Sequence, residues 1–132
     1  MSRQTAQPRK KRILVVDDEA DWNDILAAFL GGQYDVTTAR DGLEGVEAAS
    51  RYAPDLIISD VSMPRLNGLE MVRHLRARFG LKVPIIFISG QNAPQDIIAG
   101  ISAGARHYLS KPVELADLKK RIARALEPQG FH

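Results

Sequence analysis

Short apolar runs alternate along this chain with longer stretches in which apolar residues recur every three or four positions. The runs fall at residues 13–16, 56–58 and 85–88, with a short β-branched strand at 34–38 and a short last strand at 106–109, where the apolar part is Tyr108-Leu109. They are too short for helices, and the continuous ones suit strands buried on both faces. After the first run, Trp22, Ile25, Leu26, Phe29 and Leu30 make a helical stripe, with Trp22 read as core, and Gly31-Gly32 end it. Leu43, Val46 and Ala49 mark a second helix between Asp41-Gly42 and Pro54, and Leu69, Val72, Leu75 and Phe79 a third that ends at Gly80. Ile97, Ile98 and Ile101 give a fourth helix with a weaker pattern, and Leu115, Leu118, Ile122 and Leu126 the last.

Strict alternation of strands and helices predicts an α/β domain with a parallel sheet covered on both faces and right-handed crossovers. Open sheets of this kind bind ligands beyond the carboxyl ends of their strands, where strand order reverses. Those ends are polar here. Asp17, Asp18 and Glu19 follow the first strand, Asp60 the third, Ser89 the fourth, and Lys111-Pro112 the fifth. The segment after Asp60 breaks at Met63-Pro64 and Asn67-Gly68, so a carboxylate sits where a buried strand surfaces into a turn. An isolated Asp in that position is ordinarily a cap or turn residue. Asp60 is one of several polar residues gathered at a single edge.

With 132 residues, the length fits a single domain that folds without a staple. The absence of cysteine excludes disulfides, thiolate zinc sites and thiol nucleophiles, and fits a reducing cytoplasm. No apolar run approaches the roughly 20 residues of a membrane span, so a soluble protein without membrane association is expected. The net charge of +2 conceals an asymmetry: Arg3, Arg9, Lys10, Lys11 and Arg12 make the start basic, and the remainder is net acidic. This segment reads as a solvated tail, capable at most of weak, salt-sensitive nucleic-acid binding. The expected organisation is a disordered basic tail over residues 1–11, a domain over 12–127 and a short tail over 128–132.

Two ionised carboxylates about 4 Å apart repel by about 4 kcal/mol at an effective dielectric of 20, so clustered acids require a cation or a raised pKa. Lys111 supplies one charge. Oxygen ligands without His or Cys indicate Mg²⁺, with Mn²⁺ as an acceptable substitute. An ion-pair network capping the sheet edge explains any single pair, but not the whole set with a hydroxyl. An acid, a divalent ion, a lysine and a hydroxyl are the parts needed to move a phosphoryl group onto an aspartate. The phosphate-binding loop, dinucleotide fingerprint and nucleophile-elbow motifs are absent, and His74, His107 and His132 read as ordinary, partly exposed histidines.

The segments I-L-V-V-D-D-E, D-V-S-M-P-R-L-N-G, F-I-S-G and Y-L-S-K-P, in this order, resemble the receiver domain of two-component response regulators. The resemblance covers residues 12–126 and implies a flavodoxin-like, doubly wound, five-stranded sheet of order 2-1-3-4-5. It also implies Asp60 as phosphoacceptor and metal ligand, Asp18 as a direct Mg²⁺ ligand, Asp17 as a ligand through water, and the Ser62 main-chain carbonyl as a third protein ligand. Ser89 takes the place of the hydroxyl that bonds the phosphoryl group, Lys111 that of its charge partner, and Tyr108 that of the aromatic whose rotamer reports activation. In the family, side chains at Ser62 and Gln91 help set the rate of phosphate loss. A cis Lys111-Pro112 bond is implied as well. Ser89 stands where Thr is commoner, and Val113 replaces a frequent Phe.

The resulting expectation is a signalling switch, not a turnover enzyme. It takes phosphate from a histidine kinase or histidine phosphotransfer protein and alters its contact with a downstream protein target, on the side of the fourth helix, last strand and last helix. Specific DNA binding is not expected. The alternatives are a receiver module cut from a larger regulator or hybrid kinase, a scaffold indifferent to phosphorylation, and a hydrolase working through an aspartyl-phosphate. The last would need a general acid and a substrate pocket that the sequence does not display.

Overall fold

The computed structural model describes residues 9–128. The tail expected over residues 1–11 therefore lies mostly outside the described residues, as does most of the segment 128–132. The elements are β1 (Arg12–Val16), α1 (Ala20–Leu30), β2 (Asp35–Ala39), α2 (Gly42–Tyr52), β3 (Leu56–Ser59), α3 (Gly68–Phe79), β4 (Ile85–Ser89), α4 (Pro94–Ser102), β5 (His107–Ser110) and α5 (Leu115–Leu126). The strands form one sheet in the order β2-β1-β3-β4-β5, with every pairing parallel. This is the doubly wound arrangement expected, and its strand order reverses between β1 and β3.

Alternation along the strands divides the core between the two faces. Ile13 and Val15 of β1, Leu56 and Ile58 of β3 and Ile86 and Ile88 of β4 pack with Leu26 and Leu30 of α1 and Leu118 and Ile122 of α5. Leu14, Val16, Ile57, Ile85 and Phe87 point the other way, onto Ala49 of α2 and Met71, Val72 and Leu75 of α3. Neighbouring strand residues face opposite sides, so every residue of β1 from Ile13 onward, and all of β3 and β4, is buried. Among the described residues no helix is long and apolar enough to cross a membrane.

Helix starts are set locally. The Asp41 carboxylate accepts from Glu44 N at 2.9 Å and caps α2. Asn67 and Glu70 exchange bonds at the start of α3, closing a capping box. At α4, Asp96 accepts from Ala93 N at 3.2 Å.

Several apolar positions differ from expectation, among them Leu43 of α2 and Phe79 of α3, which are exposed. Tyr34 lies outside β2: its N–H closes the end of α1 by donating to Leu30 O at 2.8 Å, and its ring joins the core. On α1, Ile25 and Phe29 are exposed while Asn23 is buried, because the core-facing line runs through positions 23, 26 and 30. Ile25 and Phe29 lie about 100° round the helix from Leu26 and Leu30. On α4, Ile98 and Ile101 are also exposed, and the position that faces inward is Gly100. A Cβ at Gly100 would stand 2.6 Å from Tyr108 Cδ2, so the missing side chain lets α4 lie directly on that ring.

Candidate acid pocket at the carboxyl edge of the sheet

The register Val16↔Ser59 aligns the ends of β1 and β3, so the residues just beyond them, Asp17 and Asp60, emerge side by side. Asp60 N donates to Val16 O at 2.9 Å and continues the pairing into the loop. Asp17 and Asp60 are buried, whereas Asp18 is exposed, and carboxylate oxygens from all three lie within 4.8 Å of one another. The three acids thus converge on a point that solvent can reach past Asp18.

Lys111 enters from the loop after β5, across a cis Lys111-Pro112 bond. Its Nζ donates to Glu19 Oε1 at 2.9 Å, Asp17 Oδ2 at 3.0 Å and Asp60 Oδ2 at 3.2 Å. Burial works against its charge, but the bonds to Glu19 and Asp17 outweigh that cost and hold the ammonium proton more tightly than in a free lysine. One ammonium shared among three carboxylates cannot neutralise them all. Burial pushes the Asp17 carboxyl above its ordinary value, the bonds from Glu19 N and Lys111 draw it only partly back, and the Asp60 charge adds to the rise. The pocket remains short of positive charge.

The other oxygen of Asp60 is held by the backbone. Oδ1 accepts from Val61 N at 2.7 Å and from Ser62 N at 3.3 Å. Behind it, the Asp60 carbonyl accepts from Ser59 Oγ at 2.7 Å and lies so close to Gly68 that a Cβ there would fall 2.2 Å away. The start of α3 is thereby pressed against the residue that carries the carboxylate.

Ser89 is fully buried at the end of β4, and its Oγ accepts from Gln91 N at 3.0 Å. Tyr108 is half-buried on β5, tilted against Phe87 with ring centroids 6.2 Å apart, and donates its hydroxyl to Gln91 O. Burial raises the Tyr108 phenol above its ordinary pKa, which keeps it a donor. The structure therefore brings Asp17, Asp18, Asp60 and Lys111 into one cluster, with Ser62 bonded to Asp60 through its amide. Ser89 and Tyr108 are joined through Gln91 on the neighbouring strands.

Sequence reasoning missed two participants. Glu19 is the nearest carboxylate to Lys111, and the signal was present in the run of three acids after β1. Asn23 bridges two strands: its Nδ2 donates to Asp17 O at 2.9 Å and to Ala39 O at 3.1 Å. A polar residue three positions before Leu26, on the core-facing line of α1, was the available sign.

A donor set of three carboxylates without His or Cys suits a hard divalent ion and fits Mg²⁺. Such an ion, when bound, would neutralise the acids and polarise phosphoryl oxygens. The acid pocket fits both metal binding and phosphorylation.

The family model of the response regulator receiver domain matches residues 13–123. The transcriptional regulatory protein PrrA of Mycobacterium tuberculosis is 39% identical over 123 residues, which cover 90% of this chain and 51% of that protein. The response regulator MprA of Mycobacterium leprae is 42% identical over 116 residues, covering 87% of this chain and 50% of that one. The chain thus spans about half the length of the curated relatives it matches. Among solved structures, the chemotaxis protein CheY4 of Vibrio cholerae superposes with a TM-score of 0.82 at 32% identity, covering 89% of this chain and 99% of that one. The BeF3-activated N-terminal receiver domain of Klebsiella pneumoniae RstA gives 0.83 at 27% identity, covering 89% and 100%. The chain belongs to the response regulator receiver domain family of two-component systems, a family of signalling switches and not of classical enzymes.

Proposed function

We propose that this chain accepts a phosphoryl group on Asp60 from a histidine kinase or histidine phosphotransfer protein and answers by changing its protein-binding surface. The observation that carries the reading is the placement of Asp60. It is a buried carboxylate at the end of a central strand, with Asp17 and Asp18 beside it, Lys111 on one oxygen and backbone amides on the other.

In this reading the N–P bond of the donor phosphohistidine breaks as an O–P bond forms to Asp60, and the imidazole leaves with the bonding electron pair. Asp18 and Asp60 would hold Mg²⁺ directly, Asp17 through water, and the Ser62 main-chain carbonyl would complete the protein ligands, with Mn²⁺ able to substitute. Lys111 turns from the carboxylates toward the phosphoryl oxygens. Ser89 exchanges its bond with Gln91 N for one to the phosphoryl group, and Tyr108 follows the loop that Gln91 anchors. In the same reading the Ser62 and Gln91 side chains help set how quickly water removes the phosphate.

The receiver unit is taken as residues 12–127, acting in the cytoplasm. The downstream target is a protein that reads α4, β5 and α5. PrrA is named as a transcriptional regulator, but no specific DNA binding is assigned to the residues of this chain, nor any membrane contact. The experiment is incubation with phosphorylated histidine kinases or a small phosphodonor. The reading requires Mg²⁺-dependent incorporation of a single phosphoryl group, and incorporation that persists in excess chelator would overturn it.

A further inference from the structure

The loop after Asp60 contains a backbone feature that the phosphoacceptor site does not explain. Arg65 has φ of 68°, in the left-handed region that bulky side chains rarely adopt. Leu66 N donates to Pro64 O at 2.8 Å, closing a three-residue turn with Arg65 at its centre. With positive φ at the central residue such turns are rare and strained, and strain persists where the surroundings over-determine the conformation.

The surroundings here are the neighbouring loop. Arg65 Nε and Nη2 both donate to Asp41 Oδ2, at 2.9 and 2.8 Å. Asp41 is buried, and its other oxygen is committed to capping α2. One residue on, Gly42 N donates to Leu66 O at 3.0 Å. The loops that follow β2 and β3 are thus fastened by two consecutive residues from each. The β3 loop is fastened again by Gly68 N donating to Val61 O at 2.8 Å. Held between these points is Ser62.

We propose that Arg65, through its ion pair with Asp41, is a positioning residue that fixes the 61–64 segment and so sets the Mg²⁺ affinity of the acid pocket. The inference rests on reading the Ser62 carbonyl as a metal ligand. The same segment supplies the amides that orient Asp60 Oδ1. Mg²⁺ demands near-ideal octahedral geometry at about 2.0–2.1 Å, so a small displacement of this segment weakens binding. The Arg65 side chain is 56% exposed, so solvent screens its end of the pair and limits what it adds to global stability. Its effect belongs to position.

The test is Mg²⁺ titration by calorimetry of wild type, Arg65→Gly, Asp41→Asn, the double variant and Arg65→Lys, with thermal unfolding alongside. Glycine tolerates positive φ, so the turn survives without the clamp, and asparagine still caps α2 while losing the charge. Both single variants should bind Mg²⁺ about tenfold more weakly, as outer-sphere partners of ligands typically do when removed. The double variant should be no worse than either single one, because the two residues act as a unit. Arg65→Lys, which keeps the charge without the two-nitrogen contact, should recover part of the loss. Unfolding temperatures should barely move. Affinities equal to wild type in both single variants, or losses that multiply in the double variant, would overturn the proposal. If wild type binds no Mg²⁺, or Asp18→Asn binds it equally well, the metal-site reading fails, and this proposal fails with it.

Discussion

Ser89 and Tyr108 hold the same residue from opposite ends: Ser89 Oγ accepts from Gln91 N, and the Tyr108 hydroxyl donates to Gln91 O. A hydroxyl drawn toward a phosphoryl group would leave the Gln91 amide without its acceptor. Moving Gln91 in turn alters the anchor of the Tyr108 ring. With a phosphoryl mimic bound, the Gln91 amide and the Tyr108 ring should be among the largest chemical-shift changes beyond Asp17, Asp18 and Asp60. Ser89→Ala should still accept phosphate while losing the Tyr108 response. Shifts confined to the three acids in wild type would contradict this route.

Phosphoryl uptake should vanish in Asp60→Asn, because the amide cannot form an acyl phosphate although it retains the size and one oxygen of the carboxylate. Mass spectrometry of the intact protein is the direct measurement. A phosphoryl adduct of normal yield in Asp60→Asn would place the acceptor elsewhere.

Gly100→Ala sets two effects against each other. Alanine favours a helix interior by about 1 kcal/mol over glycine, whereas forcing an extra carbon into a packed site costs about 1–3 kcal/mol. The added Cβ would meet the Tyr108 ring at 2.6 and 2.9 Å and Phe87 at 3.3 Å. Packing should win, with a net loss of roughly 1 kcal/mol in urea unfolding and displacement of the ring from Gln91. A stabilised variant with an unmoved ring would show that α4 yields instead.

His107 should make the fold sensitive to mild acid. Burial holds its imidazole below the ordinary histidine pKa, and Arg121, Arg106 and Arg124 reinforce this against a smaller opposing effect of Asp117. The unfolded chain, with a pKa of about 6.5, therefore binds this proton more readily than the folded one. Stability from this group is complete above the unfolded value, falls as pH drops through about 6.5, and levels off below the folded pKa. His107→Gln should flatten that part of the stability profile. An unchanged slope in equilibrium unfolding would assign it to other groups.

The three central strands and their polar ends were readable because buried parallel strands leave unbroken apolar runs in the sequence, and Asp17, Asp60 and Ser89 each sit just past or at the end of one, while Lys111 follows the shorter Tyr108-Leu109. The chemistry at the edge followed from that placement. What the sequence hid was pairing across distance. Arg65 finds Asp41 24 positions away, and Lys111 finds Glu19 92 positions away. A single chain carries no periodic mark of such contacts. Helix faces failed for a related reason: Ile98 and Ile101 look like core by hydropathy, but only the packing of α4 on Tyr108 reveals that Gly100 is the inward position.

Gly68 has no functional group, yet its backbone is stacked against the Asp60 carbonyl with no space for even a methyl. A survey of tolerated substitutions should therefore rank position 68 with the acids themselves, since any side chain must displace the Asp60 backbone or the start of α3. Sensitivity to mutation and participation in chemistry separate at this residue. The site is specified as much by an atom that must be missing as by the oxygens that are present.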